Sequence, residues 1–216
     1  MCGIVGLYNT TPQVVNYMLK QLETRGRDGF GYINLTKNIG TRSLLTPSKF
    51  IKKIVYEKRD FLIGNSRAIP TTEFQQGAIK NLDSQQPMQD KNLTIVFNGL
   101  IANDKSLIEE FKLNVTKTVD TAMLCPLLNK IGVINGMKKL DGGFSIVLYD
   151  KKKDVVWFGR NFLPMTYIYD KEKKQLIIAS LKEMFPKELQ TKVINVSPYT
   201  VFRYDVKKNN LFQYSL

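Results

Sequence analysis

The sequence predicts a mixed α/β (α+β) layered domain, two sheets packed together with helices outside, and three observations carry that expectation. Short apolar segments cluster early in the chain: Gly3–Tyr8, Gly29–Leu35, Phe61–Ala68 and Thr94–Ile101 are apolar or alternating and bounded by Gly, Asn or Asp. A helical stretch follows, with apolar residues at i, i+3 and i+4 in Ser106–Lys112 and Thr121–Ile131. The last third returns to short strands with charged turns, at Phe144–Tyr149, Val155–Gly159, Thr166–Tyr169, Gln175–Ala179 and Tyr199–Tyr204. Strands, then helices, then strands again fit two sheets covered by helices.

The remaining elements follow from local pattern. Val14, Val15, Met18 and Leu22 recur at helical spacing after Pro12, which suits a first helical turn, so a helix is expected over Gln13–Leu22. Pro47–Lys58 reads as an amphipathic helix, and Pro126 is expected to kink the helix over Thr121–Ile131.

At 216 residues, with 43% hydrophobic and 24% charged content, the chain is expected to form one domain, with no repeat, low-complexity tract or linker. No apolar run approaches the roughly 20 residues that span a membrane. The start of the chain lacks a basic region followed by an apolar core, so no secretory leader and a cytoplasmic location are expected. Cys2 and Cys125 are the only cysteines, which excludes a disulfide framework, and no Cys/His cluster suggests a metal site. The formal net charge of +13 comes mostly from lysine, in groups such as Lys52-Lys53, Lys138-Lys139, Lys151-Lys152-Lys153, Lys173-Lys174 and Lys207-Lys208. A nucleic-acid partner would use such charge. The scatter of these groups, and the absence of arginine clustered with aromatics, favours a solvated lysine-rich surface.

Cys2 is the most informative residue. Removing Met1 from Met1-Cys2-Gly3-Ile4-Val5-Gly6-Leu7 would leave a thiol and a free α-amine on one residue. The thiolate is a strong nucleophile, and an α-amine with a pKa of about 7.7–8.0 can take and return a proton. The chain contains no histidine, so a Cys-His dyad is excluded. The competing reading is a small apolar Cys opening a buried strand.

Four further segments place polar residues beside strand ends. In Arg25-Gly26-Arg27-Asp28-Gly29-Phe30-Gly31 the glycines allow either close backbone approach to a buried terminus or a plain helix C-cap and turn. Arg67, in Gly64-Asn65-Ser66-Arg67-Ala68, can hold a carboxylate through two parallel hydrogen bonds, or sit exposed on an edge strand. Asn98-Gly99 is a strong hairpin-turn signal, and equally an Asn amide and a Gly N–H that could serve an oxyanion hole. Asp120 can cap the helix that follows or pair with a substrate ammonium group.

In this order, the segments resemble the glutaminase domain of the class II, N-terminal-nucleophile (Ntn) glutamine amidotransferases, with features of the asparagine synthetase and glucosamine-6-phosphate synthase types. The opening hexapeptide resembles the family start, and Leu22–Gly29 its Arg-Gly-x-Asp segment. Gln85-Gln86-Pro87-Met88 is similar to the asparagine synthetase type. Leu140-Asp141-Gly142-Gly143-Phe144-Ser145, Gly159-Arg160-Asn161 through Tyr169, and Ala179-Ser180-Leu181 resemble later family segments. The chain departs from the family at Asn65 and Phe97, where histidine is usual, at Leu100, at the segment after Arg67, and at Asn161, where Asp is common.

The resemblance implies the four-layer α-β-β-α sandwich of the Ntn hydrolases, with two stacked, mainly antiparallel sheets spanning residues 1–216 and no synthetase domain. It implies hydrolysis of the glutamine side-chain amide through a Cys2 thioester. In that reaction Asn98 and Gly99 stabilise the oxyanion and Arg67 binds the α-carboxylate. Asp120 binds the α-ammonium, and the backbone around Arg25 and Gly26 orients the Cys2 amine. No cofactor is expected, and ammonia would pass to a synthetase acting in trans. A stand-alone amidase on γ-glutamyl compounds and a catalytically inactive interaction domain are the alternatives.

Overall fold

The computed structural model describes residues 1–49, 54–69, 82–116 and 119–216. Within it the chain divides into two units, the first formed by Met1–Pro87 and Pro164–Val196 and the second by Met88–Leu163 and Ser197–Leu216. Each is built on one antiparallel sheet.

The first unit holds strands β1 (Gly3–Tyr8), β2 (Gly29–Asn34), β3 (Ile39–Ser43), β4 (Phe61–Arg67), β9 (Thr166–Asp170), β10 (Gln175–Ala179) and β11 (Ile194–Asn195). They form a seven-stranded sheet in the order β11-β9-β10-β1-β4-β2-β3. β1 pairs with β10 on one side and β4 on the other, which explains why Gly3–Leu7 is buried throughout and reads as a continuous apolar run. Helix α1 (Pro12–Gln21) starts where its sequence signals say it should. Pro12 occupies the first turn, and Thr11 accepts a hydrogen bond from Val14 N–H at 3.3 Å, a cap worth about 1 kcal/mol. The helix buries Val15, Met18 and Leu19 in a core with Val5, Leu7, Leu62 and Ile177.

The second unit holds β5 (Met88–Gln89), β6 (Leu93–Gly99), β7 (Phe144–Asp150), β8 (Val155–Arg160), β12 (Thr200–Asp205) and β13 (Asn210–Ser215), in the order β13-β12-β8-β7-β6-β5. Helices α2 (Asp104–Glu110), α3 (Leu124–Ile131) and α4 (Val133–Lys139) complete it. Leu124, Leu127, Leu128 and Met137 join Ile95, Phe97, Phe144, Ile146 and Leu148 in one apolar cluster.

The strands expected from the sequence are all present, with ends shifted by up to two residues; β3, β5, β11 and β13 are additional. Three expectations are corrected. Pro126 does not kink a helix: Asp120–Met123 is a 3-10 turn and α3 begins at Leu124, so Pro126 sits in the first helical turn, where its missing N–H costs nothing. The helix over Pro47–Lys58 is a 3-10 turn at Pro47–Lys49, and Ile54–Glu57 is not helical; residues 50–53 lie outside the described residues. Asn98-Gly99 is not a hairpin turn. It ends β6, and the chain continues through α2, α3 and α4 before β7 returns to pair with β6.

Candidate active site

The first unit gathers Cys2, Arg25, Gly26 and Arg67 around the end of β4. Gly3 pairs with Ser66, which brings Cys2 level with the residues just after the strand. Ala68 N–H points at Cys2 Sγ at 3.5 Å, and the thiol lies 3.7 Å from the Ala68 carbonyl oxygen. Behind β1, Ile4 N–H donates to Ser180 Oγ at 3.0 Å, and Ser180 N–H returns a bond to the Ile4 carbonyl at 3.1 Å. These paired bonds fix the strand from which Cys2 projects.

Gly26 is required by close approach. A Cβ there would collide with the Arg67 carbonyl group, so only glycine lets the segment after α1 lie against the end of β4. Next to it, the Arg25 guanidinium is partly buried, and its Nε has no hydrogen-bond partner among the described residues. Desolvation lowers the pKa of this guanidinium, while attraction to Cys2 works in the opposite direction. The side chain remains a cation at neutral pH and interacts electrostatically with the cysteine.

Arg67 is buried, at 7% exposure, and its Nη1 donates to Ser84 Oγ at 2.7 Å. An exposed edge-strand arginine is therefore excluded, since β4 lies between β1 and β2. Three residues outside the expected set support this cluster. Asp28 N–H donates to the Arg67 carbonyl at 2.9 Å, and its carboxylate accepts from Ile69 N–H at 2.9 Å, so it grips the segment that meets the Cys2 thiol. Ser84 holds the guanidinium, and the fully buried Gln85 donates to Ser84 at 3.4 Å. Asp28 and Gln85 lie inside quoted motifs, yet only the contact pattern gives them a task. Nothing in the sequence singles out Ser84. The segment after Arg67 is described only as far as Ile69; Pro70–Thr72 lie outside the described residues.

The second unit gathers Asn98, Gly99 and Asp120. β6 pairs with β7 so that Asn98 faces Ser145 and Gly99 faces Phe144. Leu100 N–H continues the ladder by donating to the Gly143 carbonyl at 3.1 Å. In an antiparallel ladder alternate residues direct their N–H groups toward the partner strand, so the N–H of Gly99, one residue earlier, points away from β7. On that side β5 pairs only with Thr94 and Ile95, well short of Gly99. Asn98 is 2% exposed, and its amide donates to Ser145 Oγ at a long 3.5 Å, which leaves a second N–H for another acceptor.

Asp120 opens the 3-10 turn before α3. One carboxylate oxygen accepts from Thr121 N–H at 2.7 Å and the other from Ile101 N–H at 3.0 Å. The carboxylate therefore connects this turn to the chain leaving Asn98-Gly99.

The two thiols differ sharply. Cys125 lies in the apolar core on α3, 4% exposed, and burial pushes its pKa up to about 12. It is a structural thiol, inert at neutral pH. Cys2 is only partly buried and lies beside a guanidinium.

Comparison with known proteins adds the family. The glutamine amidotransferase domain matches residues 75–187. The chain is 30% identical to the 7-cyano-7-deazaguanine synthase 2 of Sulfurisphaera tokodaii, over 93% of this chain and 48% of that protein. It is 31% identical to the 7-cyano-7-deazaguanine synthase of Saccharolobus solfataricus, over 93% of this chain and 48% of the relative. The chain thus spans about half the length of these curated relatives. The glutamine phosphoribosylpyrophosphate amidotransferase of B. subtilis superposes on 99% of this chain and 49% of its own, with a TM-score of 0.76 at 16% identity, which shows a shared fold. The domain match over more than half the residues gives the family, and the antiparallel sheets with helices share the fold of the phosphoribosylpyrophosphate amidotransferase: the chain belongs to the family of glutamine amidotransferase domains.

Proposed function

We propose that the chain is a glutaminase domain, residues 1–216, that hydrolyses the side-chain amide of glutamine and supplies the ammonia to a synthase. The observation that carries this reading is the seating of the Cys2 thiol against Ala68, directly after the buried Arg67 and beside the Arg25 cation. In this reading the nucleophile and the carboxylate receptor lie at the paired ends of β1 and β4.

In the proposed mechanism, loss of Met1 exposes the Cys2 α-amine, which takes the thiol proton through a water. The sulfur attacks the glutamine amide carbon, and Asn98 Nδ2 and the Gly99 N–H donate to the oxyanion. The amine returns its proton to the departing nitrogen, so ammonia leaves and a Cys2 thioester remains. Water then attacks the thioester carbonyl, releasing glutamate and restoring the thiol. Arg67 pairs with the α-carboxylate and Asp120 with the α-ammonium. The direction of the Gly99 N–H, away from the ladder, supports its role as donor.

The relatives named 7-cyano-7-deazaguanine synthase are about twice as long as the matched region, which supports an ammonia-accepting synthase as the partner, on a separate chain or the same one. The test is release of glutamate and ammonia from glutamine in equal amounts, followed by glutamine-dependent product formation when a candidate synthase is added. Release of neither glutamate nor ammonia by protein that has lost Met1 would overturn the reading.

A further inference from the structure

The Asn98-Gly99 pair ends a strand, and something must hold that end in register. In the second unit the segment Gly142–Phe144 does so. Leu100 N–H donates to the Gly143 carbonyl at 3.1 Å, and Ala102 N–H to the Asp141 carbonyl at 2.8 Å. The contact is tight: a Cβ on Gly99 would strike the Gly143 carbonyl, and one on Gly142 would strike the Leu100 carbonyl. Gly142 has φ +121°, a conformation that other residues rarely adopt.

This glycine segment is itself held by one side chain. Asn161, 6% exposed at the end of β8, donates from Nδ2 to the Gly142 carbonyl at 2.6 Å. Its Oδ1 accepts from Phe144 N–H and Phe162 N–H, both at 2.6 Å. The backbone adds Asn161 N–H to the Phe144 carbonyl at 3.1 Å. A single amide thus grips Gly142–Phe144 on one side, while Gly99 and Leu100 lie against the other.

We propose that Asn161 is a positioning residue that sets the direction of the Gly99 N–H through Gly142–Phe144. The inference rests on the reading of Asn98 and Gly99 as oxyanion donors. It also gives a physical sense to Asn at this position. An ionised aspartate would keep both accepted bonds, but it cannot donate to the Gly142 carbonyl and would place negative charge against it.

The test is residue-resolved amide hydrogen exchange in Asn161→Leu and Asn161→Asp, alongside steady-state kinetics with glutamine. A cavity of about 240 Å³ borders Asn161, so leucine has room to be accommodated. Exchange at Leu100 N–H is expected to rise about tenfold or more, whereas Val96 N–H, inside the same ladder, stays protected. In the kinetics kcat falls about tenfold or more while KM stays within about twofold, because a small misplacement of a donor acts on the transition state. Where Asn161→Leu fails to fold, the near-isosteric Asn161→Asp supplies the same readout. Unchanged exchange at Leu100, or an equal rise at Val96, overturns the inference whatever the activity. Selective exchange at Leu100 in protein that never hydrolyses glutamine supports the positioning role and counts against the functional reading alone.

Discussion

The two units prepare their residues by different means. In the first, the task falls to side chains in contact: Cys2 meets Ala68, Arg67 meets Ser84, and Asp28 grips the chain around them. In the second, it falls to backbone geometry: Gly99 owes its direction to strand register, and glycines at 99 and 142 permit an approach that a Cβ would block. The unit that holds the proposed nucleophile should therefore be sensitive to side-chain chemistry. The unit that holds the proposed oxyanion donors should be sensitive to anything that shifts the β6–β7 register.

Substitutions can break this comparison, beginning with the nucleophile. Cys2→Ala is expected to reduce glutamine hydrolysis by a factor on the order of 10⁴ or more, since the proposed mechanism runs through this thiolate and Cys125 is buried in the apolar core. Activity surviving that change in a pure sample would remove Cys2 from the mechanism. Asn98→Ala is expected to lower kcat by about 10²–10³ with little change in KM, the ordinary cost of one oxyanion donor. An effect confined to KM would place Asn98 in substrate binding instead.

Arg67→Ala and Ser84→Ala sharpen the account of the first unit. Losing the guanidinium is expected to lower kcat/KM about 30- to 100-fold, mainly through KM. Losing Ser84 removes one of the bonds that aim it and is expected to cost about three- to tenfold through the same parameter. A larger effect for Ser84→Ala than for Arg67→Ala would contradict the assignment of Arg67 as the carboxylate receptor.

The smallest effect concerns Cys125 and stability. Its folded pKa of about 12 lies above the unfolded thiol value near 8.5, so folding favours the neutral form. That contribution is complete below about pH 8.5 and is lost as pH rises toward 12. Urea melts of Cys125→Ala should show a shallower decline in stability across this window than the parent protein. An identical decline would show that the thiol does not contribute.

Much of this was legible in the sequence, for physical reasons. The central strands β1, β4 and β7 announce themselves because burial on both faces demands apolar runs: β1 is apolar throughout, β4 carries Phe61-Leu62-Ile63 and β7 Ile146-Val147-Leu148. Helix α1 was readable because Thr11 and Pro12 mark its start chemically. Helix α4 was not, because Gly136 inside it weakens the helical signal; the reason for that glycine is tertiary, since a Cβ there would collide with the Leu128 side chain. β3, on the edge of its sheet with Ile39, Gly40 and Arg42 exposed, lacks the apolar alternation that marks a strand.

Among the site residues, Cys2, Arg67, Asn98, Gly99 and Asp120 stood out because their chemistry is unusual beside a strand end. Arg25 and Gly26 came from the motif, and the collision of a Gly26 Cβ with Arg67 supplies the physical reason for the glycine. Ser84 and Asn161 could not be read in this way. Each acts by holding another residue, and such roles exist only in contacts between segments distant in sequence.

The most direct test of the central claim is the intact mass of the purified protein, alone and after treatment with diazo-oxo-norleucine, a glutamine-shaped electrophile. Loss of Met1 and a single adduct are expected, localised by peptide mapping to Cys2 and suppressed by glutamine, with Cys125 unmodified. Retained Met1 and no adduct, or labelling that glutamine does not suppress, would contradict it.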